Sequence, residues 1–145
     1  HTKQQIREND KGGFIYMMSK RTCVLVIEDE KHIRNALEYN LKLDGFDVYL
    51  AEDGRKGLEL ARDKKPDAIL LDWMMPEMDG LEVLAELKKD EQTKHIPVFM
   101  LTAKAMIHDV RKVLSEGADD YIAKPFDSAK VGQIIRTKLE NLVKI

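Results

Sequence analysis

Carboxylates stand directly behind two apolar runs of the sequence, at the point where each run stops. Glu28 and Asp29 follow the run VLVI, and Asp72 follows AILL and begins the segment DWMMPEMDG. Carboxylates held close together repel one another, so at least one stays protonated unless a cation offsets the charge. Mg²⁺ suits this task, because it takes one or two carboxylates, keeps waters and accepts a phosphoryl oxygen. The acids therefore predict a metal site, or a site in which one carboxylate is a nucleophile.

Two further polar side chains stand at or near the ends of the last two apolar runs. Thr102 follows VFML, and Lys124 lies in YIAKPF. A hydroxyl and an ammonium can hold the oxygens of a phosphoryl group that a carboxylate attacks. Taken singly, a strand-terminal Asp or Thr is often a helix cap and a lysine is usually a solvated surface group. Their joint occurrence behind four apolar runs favours phosphoryl-transfer chemistry.

Alternation of short apolar runs with helical periodicity predicts the elements that must position these residues. Strands are predicted at 22–29, 46–51, 67–72, 96–101 and 120–123, with a helix after each one. This order predicts an α/β fold with a doubly wound, five-stranded parallel sheet of flavodoxin-like order 2-1-3-4-5 and helices on both faces. Such sheets bind ligands at the carboxyl ends of their strands, near the switch between strands 1 and 3. The acids should therefore meet there.

Size and composition indicate one soluble domain. The chain has 145 residues, enough for a single core, and a net charge of −2, which gives no indication of nucleic-acid or membrane binding by this domain. Its single cysteine, Cys23, excludes an internal disulfide and fits a reducing, cytoplasmic location. Residues 1–17 are polar and aperiodic, so we interpret them as a leader or an expression remnant and place the domain at 18–145.

Four segments resemble the receiver domains of two-component response regulators, and the resemblance covers about residues 20–144. VIEDE is similar to the family's acidic pair, LLDWMMPEMDG to its phosphorylation-site strand and loop, PVFMLTA to its hydroxyl-bearing strand, and GADDYIAKPF to its Lys-Pro segment. All four occur in the family's order. Two of them, LLDWMMPEMDG and GADDYIAKPF, most resemble receivers that precede winged-helix DNA-binding domains.

The resemblance implies a role for each acid. Asp72 is the phosphoacceptor, and Glu28, Asp29 and Asp72 bind Mg²⁺, the implied cofactor, together with the backbone carbonyl of Met74. The side chains at Met74 and Lys104 occupy positions that influence phosphoryl lifetime in the family, and neither matches the Asn/Glu pair of chemotaxis-type members.

The resemblance also assigns the switch. Thr102 receives one phosphoryl oxygen, Lys124 pairs with another or with the acceptor carboxylate, and Tyr121 turns inward on activation. The Lys124–Pro125 peptide bond should be cis, as is typical of the family.

Partners follow from the same resemblance. A sensor histidine kinase or a phosphotransfer domain supplies the phosphoryl group, and the surface of helix 4, strand 5 and helix 5 signals to an effector domain or protein. Catalysis is limited to the chain's own phosphorylation and dephosphorylation, in a bacterial cytoplasm. A homodimer through that surface would use charged residues, for which the candidates are Asp119, Asp120, Arg111, Lys112 and Arg136. Either a stand-alone receiver or the receiver of a DNA-binding regulator fits the sequence.

Three rival classes share the fold or the nucleophile. A phosphatase of the haloacid dehalogenase type needs a second aspartate two residues after the first, where this chain has Met74. A flavin carrier needs a Ser/Thr-rich loop after strand 1, where this chain has EDEKH, which repels phosphate without a metal. A degenerate receiver that acts only as a scaffold is disfavoured because Asp72, Asp29, Thr102 and Lys124 are all retained.

Overall fold

The computed structural model describes residues 21–103 and 106–143. Residues 1–20, which include the predicted leader, lie outside the described residues, and so does Lys104. The strands are β1 (Cys23–Ile27), β2 (Asp47–Ala51), β3 (Ala68–Asp72), β4 (Val98–Thr102) and β5 (Asp120–Ala123). The helices are α1 (Lys31–Leu43), α2 (Gly54–Lys64), α3 (Gly80–Lys89), α4 (Ile107–Ser115) and α5 (Ser128–Val143). Within the described ranges, no helix is both long and apolar enough to cross a lipid bilayer.

The five strands form one parallel sheet in the order β2-β1-β3-β4-β5. This confirms the predicted doubly wound topology. In the register, Ile27 lies opposite Leu71, and Asp72 lies opposite Leu101. The carboxyl ends of the three central strands therefore reach the same edge of the sheet, which is where the sequence places its acids.

Helices cover both faces of the sheet, so the central strands are buried on both sides. Val24 and Val26 face a core that includes residues of α1 and α5, whereas Leu25 and Ile27 face one built with α2, α3 and α4. Each of these four side chains is fully buried, which contributes about 1.5–3 kcal/mol apiece relative to an exposed side chain. Burial on both faces explains why the strand sequences lack polar alternation.

The first strand is shorter than the sequence predicts. β1 ends at Ile27, so Glu28 and Asp29 belong to the loop that follows rather than to the strand. The backbone N–H of Glu28 still donates to the carbonyl of Ala51 at 3.1 Å. The acidic pair therefore starts where the sheet's hydrogen bonding stops, and its backbone needs other contacts to hold it.

The fourth strand is shifted along the chain relative to the prediction. It begins at Val98 because the Ile96 N–H donates into a turn, to the carbonyl of Thr93 at 3.0 Å, and Pro97 has no N–H to donate. At its other end β4 includes Thr102. The hydroxyl-bearing residue is therefore part of the rigid sheet.

Candidate functional site

Three acids meet at the carboxyl edge of the sheet, as predicted. One carboxylate oxygen from each of Glu28, Asp29 and Asp72 lies within 4.8 Å of the others. Glu28 and Asp72 are buried, with 1% and 2% of their surface exposed, whereas Asp29 faces solvent. A group that enters this cluster therefore meets two desolvated carboxylates and one solvated one.

Lys124 supplies a positive charge at the base of the cluster. Its Nζ donates to Asp72 Oδ1 at 2.8 Å and lies 3.5 Å from Glu28 Oε1. Glu28 Oε2 accepts the Glu30 N–H at 2.9 Å, but Glu28 Oε1 is buried and accepts no hydrogen bond from any described residue. An orphaned carboxylate oxygen beside two other acids fits an oxygen-seeking divalent cation, so the residues present fit Mg²⁺.

Burial shifts the ionisation of this cluster. It raises the pKa of Glu28 from 4.5 to about 7, opposed by the Glu30 hydrogen bond and reinforced by the charge of Asp72. Burial also raises the pKa of Asp72, although the hydrogen bond from Lys124 works against the change. The pKa of Lys124 is itself raised, because its bond to Asp72 and the charge of Glu28 outweigh its burial. The single ammonium of Lys124 does not neutralise the charge of three carboxylates.

Replacing Glu28 by Gln should stabilise the metal-free protein at alkaline pH. The folded state keeps the Glu28 proton up to a pKa of about 7, whereas the unfolded state loses it near 4.5. The stability that this provides is complete below about 4.5 and is lost as pH rises through about 7. Glu28→Gln should therefore gain about 1–3 kcal/mol over wild type between pH 5 and 8.

Urea unfolding in EDTA at both pH values measures this difference. Glu52→Gln is the matched control, because it makes the same chemical change at an exposed residue beyond β2. Parallel pH dependences for the wild type and Glu28→Gln would contradict the assignment of this titration to Glu28.

Thr102 and Tyr121 lie on the strands beside the cluster. Thr102 is buried at the end of β4, and its carbonyl accepts the Lys124 N–H at 2.8 Å, so the two predicted phosphoryl-holding residues are neighbours across β4 and β5. Tyr121 is half-buried and packs against the core formed with α2, α3 and α4. The Lys124–Pro125 peptide bond is cis, as predicted.

The loop behind Asp72 is fixed at both ends. The Trp73 N–H donates to the Leu101 carbonyl at 3.1 Å, and the Trp73 carbonyl accepts the Gly80 N–H at 2.7 Å. Asp79 begins α3 with a reciprocal capping box, in which its side chain and that of Glu82 each accept a backbone N–H. This explains why a strand that ends on a carboxylate is followed by a rigid turn.

The apolar residues of that loop differ in burial. Trp73 and Met75 are buried packing residues, whereas the Met74 side chain is 58% exposed. The Met74 side chain therefore lies mainly in solvent two residues after Asp72.

Sequence reasoning missed one contact at this edge. The Arg34 guanidinium donates through Nη1 to the carbonyls of Glu28 at 2.9 Å and Asp29 at 3.2 Å. The only signal is helical spacing, since a residue in the first turn of α1 can reach back over the loop that precedes it. Periodicity alone assigns such an arginine to the solvated face.

An apolar groove of about 530 Å³ opens beside Lys124, between α1 and the β5–α5 loop. Its lining includes His32, Ile33, Ala36, Ala103, Pro125 and Phe126.

The charged residues proposed for a dimer are partly engaged within the chain. Asp120 pairs with Lys138 at 2.6 Å, and Asp119 accepts a backbone N–H of β4 at 2.8 Å. Arg136 donates to the carbonyl of the residue after α1 at 2.6 Å and stacks over the Phe46 ring at 4.2 Å. Arg136 therefore packs towards α1, and its assignment to the α4–β5–α5 surface is wrong. Arg111 and Lys112 are exposed on α4.

Comparisons with known protein sequences agree with this geometry. A family described as "Response regulator receiver domain" matches residues 24–136. The DNA-binding dual master transcriptional regulator RpaA of Synechocystis sp. is 42% identical over 122 residues, which cover 84% of this chain and 51% of that protein. The chain therefore spans about half the length of this curated relative.

Solved structures match over nearly their whole length. The receiver domain of Francisella response regulator 1452 has a TM-score of 0.77 and 31% identity, over 84% of this chain and 99% of that one. Vibrio cholerae chemotaxis protein CheY4 has a TM-score of 0.77 and 28% identity, over 81% and 98%.

Proposed function

The chain belongs to the response regulator receiver domain family, and on this premise we propose that Asp72 is the phosphoacceptor of a two-component signalling reaction. The observation that carries the proposal is the surroundings of Asp72. Its carboxylate is buried and accepts a hydrogen bond from the Lys124 ammonium at 2.8 Å. One of its oxygens lies within 4.8 Å of carboxylate oxygens of Glu28 and Asp29. A nucleophilic carboxylate, a countercharge and a metal-binding pair are the parts that in-line phosphoryl transfer needs.

The metal of this site is Mg²⁺, held by Glu28, Asp29 and Asp72 with the Met74 carbonyl as a further ligand. When bound, it offsets negative charge on the transferring phosphoryl group. Glu28 Oε1 supports this assignment, because it is buried, accepts no hydrogen bond from the described residues and has only the longer ion pair with Lys124 at 3.5 Å. A bound cation would also favour the ionised form of Glu28, whose pKa burial raises to about 7.

The transfer step follows from these positions. An Asp72 oxygen attacks the phosphorus of a phosphohistidine, the new O–P bond forms as the N–P bond breaks, and the imidazole leaves with the electron pair. Lys124 exchanges its contact with Asp72 for one with a phosphoryl oxygen, and the Thr102 hydroxyl donates to another. Water later cleaves the acyl phosphate and restores the carboxylate, so the chain acts only on its own phosphorylation.

The phosphoryl donor is a sensor histidine kinase or a phosphotransfer domain. The apolar groove beside Lys124 supports this, because it lies next to the acceptor and includes Ile33, Pro125 and Phe126 on its walls. Such a surface suits the side of a partner helix that carries the phosphohistidine.

The output is a change at the surface formed by α4, β5 and α5. Phosphorylation adds about −1.5 to −2 of charge and three acceptor oxygens next to Thr102. If Thr102 follows a phosphoryl oxygen, Tyr121 on the neighbouring strand turns inward. A cleft of about 440 Å³ beside Tyr121, bordered by Phe126, Ile134 and Lys138, would change shape and alter binding of an effector or a second copy. The DNA-binding relative makes a regulator of transcription the natural output to test first.

Replacing Asp29 by Asn tests the metal assignment. The single tryptophan, Trp73, adjoins Asp72, so its fluorescence should report Mg²⁺ binding. Asp29→Asn should weaken Mg²⁺ binding on the order of tenfold or more, because a neutral amide replaces a ligand carboxylate. Labelling by acetyl phosphate, which needs Mg²⁺ in the wild type, should slow in parallel.

Glu52→Gln serves as the control at the same edge of the sheet, since Glu52 is exposed after β2 and outside the acidic cluster. It should bind Mg²⁺ as the wild type does. Equal Mg²⁺ affinities for the wild type and Asp29→Asn would exclude Asp29 as a ligand.

A further inference from the structure

In the described part of the chain, Arg34 on α1 is the side chain that binds the backbone carbonyls of the acidic pair. Its Nη1 donates to the carbonyl of Glu28 at 2.9 Å and to the carbonyl of Asp29 at 3.2 Å. These two residues stand where β1 has ended, and their carboxylates lie with that of Asp72 in one cluster. Arg34 therefore contacts the main chain of both acids from the side of α1.

This contact determines which way the acids can point. Two bonds from one nitrogen to successive carbonyls restrict the rotation of both peptide units, and the side chains rotate with their backbone. Bonds from a charged donor are roughly twice as strong as neutral ones. The loop is also constrained by the bonds from the Glu28 N–H to the Ala51 carbonyl and from the Glu30 N–H to the Glu28 carboxylate. The Glu30 N–H lies in the same peptide unit as the Asp29 carbonyl, so Arg34 and the Glu28 carboxylate hold that unit from its two sides.

The position of Arg34 is unfavourable for the helix by itself. It lies in the first turn of α1, where the helix dipole is positive and cations destabilise. No acidic side chain occupies that turn, and the N-cap residue Glu30 makes no side-chain cap hydrogen bond. A solvated arginine at this position would not stabilise the helix. The hydrogen bonds from Arg34 to both carbonyls offset the unfavourable interaction of its charge with the helix dipole.

We propose that Arg34 is a positioning residue for the metal site: its guanidinium holds the backbone of Glu28 and Asp29 so that both carboxylates face Asp72 before a cation binds. The inference rests on the proposed function, because the cation is the Mg²⁺ of the receiver site. The proposal differs from simple electrostatics in the direction in which loss of Arg34 changes the cation affinity. Simple electrostatics predicts that removing a nearby positive charge tightens cation binding, whereas loss of positioning weakens it.

The test is Mn²⁺ binding, followed by the loss of the electron paramagnetic resonance signal of free Mn²⁺. Arg34→Ala should weaken Mn²⁺ binding by roughly tenfold, the range expected when a support of metal ligands is lost. Arg34→Met should weaken it equally, because methionine keeps an unbranched stem but has no N–H to donate to either carbonyl. Lys31→Ala removes an exposed cation from the same helical turn and should leave binding equal or slightly tighter.

Mn²⁺ affinity in Arg34→Ala equal to or above that of the wild type would overturn the inference, provided that urea unfolding shows a folded protein. If Arg34→Ala is unfolded, Arg34→Met decides, and wild-type affinity in that variant overturns it equally. Failure of the proposed function appears differently. In that case the wild type itself binds no Mn²⁺, or Asp29→Asn binds it as tightly as the wild type does.

Discussion

Asp72→Asn should take up no phosphoryl group from acetyl phosphate in the presence of Mg²⁺, whereas the wild-type chain should take up one. A carboxylate oxygen is a nucleophile and its amide counterpart is not, so the acyl phosphate cannot form. The substitution keeps the shape of a side chain that is 2% exposed and lies at the end of a central strand. Intact mass spectrometry at mildly acidic pH distinguishes the two results directly.

Asp79→Asn provides a matched control seven residues further along the chain. Asp79 caps α3, and asparagine caps helices about as well as aspartate, so the loop should remain in place. This variant should be labelled like the wild type. Stoichiometric labelling of Asp72→Asn, with the Asp79→Asn control also labelled, would show that another residue is the acceptor.

Acid convergence could be predicted from the sequence because it depends only on topology. Each acid or partner follows an apolar run, parallel strands end at a common edge, and right-handed crossovers leave few strand orders. Glu28, Asp72 and Lys124 therefore meet whatever the details of the loops. The same reasoning predicts burial on both faces of β1, β3 and β4 from their unbroken apolar runs.

What the sequence did not predict depends on contacts between distant elements. Arg136 reads as a surface charge of α5, yet it lies over the Phe46 ring and binds the end of α1. The sequence predicts that β1 ends at Asp29, but the strand ends at Ile27. Only the backbone N–H of Glu28 continues the hydrogen bonding, to the carbonyl of Ala51. Such details are decided by which backbone groups find partners once the helices pack, and that is not encoded in local periodicity.

The ionisation of Glu28 belongs to the same class. A glutamate next to two other acids reads as a solvated carboxylate, but the fold buries it with one oxygen lacking a donor among the described residues. Its pKa of about 7 follows from burial first and from the charge of Asp72 afterwards. The burial of Glu28 therefore costs some stability, as is common where function and folding compete.

The second large effect is expected at Gly80, the first residue of α3. A Cβ at this position would collide with the Asp72 carbonyl and lie 2.8 Å from the Trp73 Cα. Both atoms belong to the main chain directly behind the acceptor, and the Gly80 N–H already bonds the Trp73 carbonyl at 2.7 Å. No side-chain rotation relieves the clash, so the backbone that carries Asp72 must shift.

Gly80→Ala should therefore lower the free energy of unfolding by about 3 kcal/mol, at the upper end of overpacking costs, and should slow acetyl phosphate labelling with it. Gly132→Ala is the contrasting control, because its Cβ would meet the side chain of Asp44, whose carboxylate can rotate away and whose Cβ, at 3.1 Å, must give way only slightly. Alanine also suits the interior of α5 better than glycine by about 1 kcal/mol, so that variant should stay near wild-type stability.

Urea unfolding of the two variants side by side measures the difference. A Gly80→Ala protein as stable as Gly132→Ala would mean that the loop behind Asp72 is not rigid. Rigidity there matters because the acceptor oxygen must meet an in-line donor, and a displacement of about 1 Å costs on the order of a hundredfold in rate.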